Sequence, residues 1–195
     1  MIRKLQEADV DAVASASARA FFDDPLQVWA LPDDTTRLAK LERMFALQTR
    51  IAALPLGECY TDDSCSVACF WAPPDRWQPP PDVIADLTPL RETLAEGLSR
   101  FVLAMHAMHA MHPDPPHWYL QGLGTDPPRQ REGLASAAMQ PVLERCDAEG
   151  VPAYLESTKE RNLAFYENHG WRVTGTIQLP DGGPTLWSMW RDPRP

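Results

Sequence analysis

The sequence predicts a mixed α/β (α+β) domain, and three stretches predict it. Residues 117–125 are rich in aromatic and strand-forming types, and they give way across 130–136 to Ala137, Ala138, Met139, Val142, Leu143 and Cys146, spaced as one face of a helix. Residues 151–157 read as a second strand, followed by a short helix, a cap at Gly170 and a third strand. Upstream, 58–61 and 66–71, joined by Asp62-Asp63-Ser64, read as an antiparallel hairpin. Helices alternating with strands around an antiparallel middle make a layered α/β fold.

The remaining elements follow in order. Residues 2–5 can form a first strand, and 9–22 have the composition of a helix with Val13, Ala16 and Ala20 inward; Pro25 should stop it. Residues 35–53 give a second helix, with Leu38, Leu41 and Phe45 on one face and Gln48 and Thr49 on the other. Residues 83–111 read as mostly helix, interrupted near Pro89, and two C-terminal strands are expected at 172–178 and 185–191. The twenty prolines, clustered at 73–74, 79–81, 113–116 and 127–128, punctuate loops. At 195 residues, with no repeat and no linker, the chain is read as a single domain, 1–195.

Composition narrows the function. A formal charge of −9 argues against a nucleic-acid partner and suits a cationic or amine substrate. No apolar run is long enough to span a bilayer, so no membrane is expected. Residues 1–7 lack the apolar core of a signal peptide. Cys59, Cys65, Cys69 and Cys146 show no C-x-x-C spacing, so reduced thiols in a cytoplasmic protein are the expectation, and Cys146 reads as core rather than nucleophile.

The strand-to-helix turn Gln130-Arg131-Glu132-Gly133-Leu134-Ala135-Ser136 carries the chemistry. The first N–H groups of such a helix are unpaired, with the positive end of the dipole behind them, which makes an anion site suited to phosphate. Gly133 and Ala135 let a bulky ligand approach the backbone. The turn is neither a Walker A loop, since no Gly-Lys-[Ser/Thr] follows, nor a dinucleotide fingerprint.

The pattern [Gln/Arg]-x-x-Gly-x-[Gly/Ala] resembles the pyrophosphate loop of the GCN5-related N-acetyltransferases (GNAT). The string Asn162-Leu163-Ala164-Phe165-Tyr166-Glu167-Asn168-His169-Gly170-Trp171 resembles the second acetyl-CoA motif of that superfamily, at a compatible distance. Residues 151–166 and 179–189 resemble the branch that contains puromycin N-acetyltransferase. The likeness extends upstream through 41–74 and fades between about 76 and 116, where an acceptor pocket would differ. Arg131 stands where many relatives carry Gly, and Ala135 replaces another Gly.

The resemblance implies a central, mostly antiparallel sheet with splayed strands flanked by helices, and acetyl-CoA (coenzyme A) as cofactor. It assigns the pyrophosphate to the backbone of Arg131, Glu132, Gly133, Leu134, Ala135 and Ser136 with Gln130 at its entry. It assigns the acetyl group and pantetheine arm to the backbone of Leu123, Gly124 and Thr125, a strand weakened by glycine where amides are left free. Arg129 and Arg131 would offset the cofactor's negative charge. Asn162 hydrogen-bonds the pantetheine amide or caps the helix.

Acetyl transfer to an amine needs a proton donor for the departing thiolate and a route for the ammonium proton. Tyr166 is the candidate general acid, since a phenol with pKa about 10 stays protonated at neutral pH. Glu156, ending the strand that should splay, is the candidate base, directly or through water, or else a structural carboxylate; the sequence leaves both open. Asp23 and Asp24 are alternative carboxylates, and Phe22, Asp24 and Trp29 are placed at the acceptor cleft. His106, His109 and His112, at i, i+3 and i+6, drift by about 60° per step and lack nearby carboxylate or cysteine partners, so no metal site is assigned; His109 or His112 beside the acceptor is the alternative. The expectation is a cytoplasmic acetyl-CoA-dependent N-acetyltransferase, monomer or homodimer, acting on a small amine such as an aminonucleoside-like antibiotic in resistance or tailoring. The rivals are a protein or peptide N-acetyltransferase and a non-catalytic acyl-CoA-binding regulatory module.

Overall fold

A computed structural model describes residues 1–74, 76–77, 88–95 and 97–194. Among them, β1 (Ile2–Lys4), β2 (Glu58–Asp62), β3 (Val67–Ala72), β4 (Trp118–Thr125), β5 (Ala153–Ser157), β6 (Arg172–Gln178) and β7 (Thr185–Arg191) form one seven-stranded sheet. The strand order is β1-β2-β3-β4-β5-β7-β6. Each neighbouring pair is antiparallel except β4 and β5, which run parallel. The sequence-based expectation of a mixed, mostly antiparallel fold is met.

Helices cover both faces: α1 (Val10–Ala20), α2 (Pro25–Ala30), α3 (Asp34–Gln48), α4 (Thr88–Leu94), α5 (Gly97–Ala110), α6 (Leu134–Glu149) and α7 (Leu163–Asn168). On one face, Ala138, Met139, Val142, Leu143 and Cys146 of α6 and Tyr166 of α7 pack on Val67, Cys69, Trp71, Trp118, Leu120, Leu155 and Met189 of the sheet. Burying each large apolar side chain there contributes roughly 1.5–3 kcal/mol. On the other face, Val10 and Val13 of α1 meet Cys59 and Ala68, and Ala104 of α5 meets Ile177 and Leu186.

Four element boundaries differ from the sequence reading, each for a local reason. Pro25 does not merely end α1; it opens α2, because Asp24 accepts the Leu26 N–H and the missing proline N–H is one that a first turn leaves unpaired. The helix expected over 35–53 ends as α-helix at Gln48 and relaxes into a π-helical turn, Thr49–Ala53, where the Thr49 hydroxyl bonds the Phe45 carbonyl at 2.7 Å. Pro89 sits in the first turn of α4, and the break before α5 comes where Ala95 takes φ 47°. The first helix begins as a 3₁₀ turn, Glu7–Asp9, closed by Asp9 accepting the Gln6 N–H. Residues 83–87 of the expected 83–111 helix lie outside the described residues.

Candidate active site

The site begins where β4 and β5 part. They pair only at Trp118–Ala153 and Tyr119–Tyr154. Leu155, Glu156 and Ser157 continue to pair with β7, while β4 continues with β3. The cause lies in β4: Trp71 pairs with Leu120 but Phe70 pairs with Gly122, so Gln121 is an extra, bulged residue. A bulge bends its strand and strengthens its twist, which carries residues 122–125 away from β5 and leaves that edge without a strand partner. Gly124 has a steric reason here, because a Cβ would lie 2.6 Å from the Phe21 ring of the segment after α1.

Side chains on β5 alternate across the sheet. Leu155 points into the α6–α7 core with Tyr166. Glu156 therefore points to the opposite face, with Tyr154 and Tyr119. The parted strands thus have a phenol on one side and a carboxyl on the other.

Tyr166 is buried, its ring edge-on to Phe165 at 5.2 Å and to Trp171 at 6.2 Å. Burial, with Asp24 acting in the same direction, pushes its phenol well above the ordinary value. It is therefore protonated throughout the physiological range. Asn162 is the residue before α7, half-buried, and its side chain does not cap the helix.

Glu156 accepts a 2.7 Å hydrogen bond from the Tyr119 hydroxyl at Oε2. Its Oε1 exposes less than 1 Å² and has no hydrogen-bond partner. The residue as a whole is half-buried, while Oε1 itself is enclosed. Burial raises its pKa to about 7, with Tyr119 and Tyr154 pulling it partly back. An unpaired buried acceptor costs about 1–3 kcal/mol, and a carboxyl that titrates near neutrality suits proton transfer.

The turn before α6 has the backbone of an anion cradle. Arg131 and Gly133 both take left-handed conformations, φ 68° and 78°, and no side chain caps the first turn of α6. A Cβ at Gly133 would meet nothing within 4 Å, so the glycine serves the backbone conformation rather than space. The left-handed geometry at Arg131 explains why glycine suits that position, and arginine there costs about 1–2 kcal/mol. Arg129 is engaged by Glu132 at 2.8 Å and donates to Ser64, whereas Arg131 is exposed and makes no ion pair among the described residues. Gln130 donates to the Thr125 carbonyl at 3.1 Å, tying the turn to the end of β4. The uncapped N–H groups of Leu134, Ala135 and Ser136, with Arg131 beside them, fit a pyrophosphate.

The acceptor-side residues named from sequence are largely engaged. Asp24 is buried, its carboxyl shared between the Leu26 N–H and the Thr158 hydroxyl. Asp23 pairs with Lys159 at 2.6 Å and Arg161 at 3.2 Å. Trp29 donates to the Asp181 carbonyl, and Phe22 lies under the Arg37 guanidinium at 5.0 Å. Asp23, Pro25, Thr158, Lys159, Pro184 and Trp187 line a groove of about 420 Å³ that includes neither Glu156 nor Tyr166. Of the three spaced histidines, His112 turns inward, stacked on Trp77 at 3.7 Å and bonded to His117. Among the described residues, no group of three His, Cys, Asp or Glu is placed to hold a metal ion.

Residues 76–171 match the acetyltransferase (GNAT) family. The match spans just under half of the chain and supports membership of that family. An uncharacterized N-acetyltransferase of Schizosaccharomyces pombe is 36% identical over 62 residues, 32% of this chain and 25% of that protein, so the match spans about a quarter of the curated relative. The crystal structure of a histone acetyltransferase HPA2 and related acetyltransferase from Corynebacterium glutamicum superposes with a TM-score of 0.74 at 24% identity, covering 100% of this chain and 97% of that one. A Drosophila melanogaster polyamine N-acetyltransferase superposes with a TM-score of 0.62 at 14% identity, covering 98% and 99%. At these identities the structures speak for the GNAT fold. No helix among the described residues is long and apolar enough to cross a membrane.

From sequence alone Tyr119 is only a strand-forming aromatic. Its place beside Glu156 depends on the parallel register of β4 and β5, for which local periodicity carries no signal.

Proposed function

We propose that this GNAT protein is an acetyl-CoA-dependent N-acetyltransferase that acetylates the amine of a small molecule by direct attack in a ternary complex. The observation that carries the reading is the enclosed, half-satisfied carboxyl of Glu156 on one face of the parted strands, with the protonated phenol of Tyr166 on the other. Acetyl-CoA, when bound, supplies the acetyl thioester.

The backbone of Gln130 to Ser136 holds the pyrophosphate, with Arg131 as counter-charge. The open edge of β4 at Leu123, Gly124 and Thr125 receives the pantetheine arm, and Asn162 bonds its amide. An N–H from that edge aimed at a developing oxyanion contributes about 3 kcal/mol. Glu156 Oε1 takes a proton from the incoming ammonium, directly or through water. Tyr166 protonates the departing thiolate. Base and acid on opposite faces let the amine enter on one side while the sulfur leaves on the other, so no acyl-enzyme on Cys146 is needed; that thiol is buried and its pKa is pushed up to about 12.

The acceptor is a protonated small amine of the kind that puromycin-type aminonucleosides carry. The negative chain and the carboxylate oxygen left without a hydrogen-bond partner support it. The test is release of free thiol from acetyl-CoA by the purified protein against a panel of puromycin-like and simple primary amines, with peptide N-termini and lysine peptides alongside. Higher kcat/KM on small amines supports the reading. Markedly higher kcat/KM on peptides replaces it with a protein-directed activity, and binding without turnover replaces it with a sensor.

A further inference from the structure

We propose that Tyr119 is the positioning residue of Glu156: its hydroxyl holds Oε2, so that Oε1 is the oxygen left without a partner and able to take a proton. The proposal rests on Glu156 being the base, and it adds the group that orients it.

The geometry is specific. Tyr119 and Glu156 lie 37 residues apart and meet because Tyr119 pairs with Tyr154 in the last rung before the strands separate. A carboxylate accepts at both oxygens, and here one is filled and the other is enclosed yet unfilled. A carboxyl free to rotate would exchange its two oxygens; one anchored at Oε2 cannot.

The Tyr119 ring is itself held. It lies edge-on to His112 at 5.0 Å and tilted against Tyr154 at 5.8 Å. His112 is fixed in turn. His117 Nδ1 lies 2.6 Å from the Pro115 carbonyl, which only accepts, so Nδ1 carries the proton. Neutral His117 then offers Nε2 as an acceptor, and His112 Nε2–H donates to it at 3.0 Å. Trp77 stacks on His112, and its carbonyl accepts from the side chain of the bulged residue Gln121. The bulge that parts the strands therefore also secures the aromatic packing around Tyr119.

The titratable groups on this face are Tyr154 on β5 and His112 and His117 before β4, with the hydroxyl of Ser188 on β7 accepting from Tyr154. Burial lowers both histidines, His112 to about 4, so neither carries charge near neutral pH. Tyr154, the other hydroxyl that lowers Glu156, is left in place when Tyr119 is altered, so a change in Glu156 titration then reports the Tyr119 hydroxyl.

The test follows Glu156 directly. The full-length protein is labelled with carboxyl-¹³C glutamate, and the Glu156 resonance is assigned by its loss in Glu156→Gln. The Tyr119 hydroxyl donates to the ionised carboxylate and favours it, so Tyr119→Phe should raise the titration midpoint by about one unit, a tenfold lower ionised fraction on the acid side. The acid limb of kcat/KM should move up by the same amount. An unmoved midpoint overturns the proposal. A raised midpoint with an unmoved rate limb supports the hold on Glu156 and overturns instead its assignment as base. If Tyr119→Phe does not fold, 3-fluorotyrosine at position 119, a stronger donor, should lower the midpoint; a midpoint unmoved or raised there overturns the proposal equally.

Discussion

Arg131 and Gly133, two residues apart, both hold left-handed backbone at the mouth of α6, yet only one of them is glycine. The arginine thus sets conformational strain against a free positive charge beside uncapped N–H groups. Arg131→Gly should relieve about 1–2 kcal/mol of strain, partly offset by the greater unfolded-state freedom of glycine, for a net gain of about 0.5–1 kcal/mol. It should weaken acetyl-CoA binding, more so at low salt. Thermal melts and calorimetric titrations at two ionic strengths check both signs.

Gly133→Glu should abolish cofactor binding, because it brings like charge to the phosphate cradle. The left-handed backbone makes any side chain there cost about 1–2 kcal/mol, so Gly133→Ala is the control for strain alone. The alanine variant should show the same loss of stability with affinity largely retained. Equal affinity in the glutamate variant by calorimetry would remove this turn from the cofactor site.

Tyr166→Phe should keep cofactor affinity and lower kcat by about 10²–10⁴-fold, the usual range for general acid catalysis. Because burial pushes the phenol upward, the wild-type profile should show no loss of activity from Tyr166 ionisation through the ordinary assay range. Single-turnover rates that match wild type would exclude the acid role.

Glu156 links the site to stability. Its folded-state pKa, about 7, lies above the ordinary 4.5, so the folded protein binds the proton more tightly than the unfolded chain does. Its contribution is fully present below pH 4.5 and is lost as pH rises through 7, a change on the order of 3 kcal/mol. Glu156→Gln should therefore become more stable relative to wild type between pH 5 and pH 8.5, as well as losing activity. Urea unfolding at pH 5, 6.5 and 8.5 reads the difference; a constant or reversed difference contradicts the enclosed carboxyl.

Local sequence determined the pieces. The aromatic strand, the Gln130–Ser136 turn, the α6 stripe and the Gly170 cap all lie in short windows where periodicity and turn chemistry act between near neighbours. The Asp24-Pro25 pair carries a local start signal for α2, which the reading of Pro25 as a helix stop passes over. Tertiary structure alone decided the rest. The one-residue bulge at Gln121 leaves the composition of β4 unchanged yet opens the gap, because its effect appears only in the register with β3. The same long-range pairing puts Tyr119 on Glu156, ties Asp24 to Thr158 and leaves Oε1 without a partner. Such contacts join strands distant in the chain, and no local pattern encodes which edge will meet which.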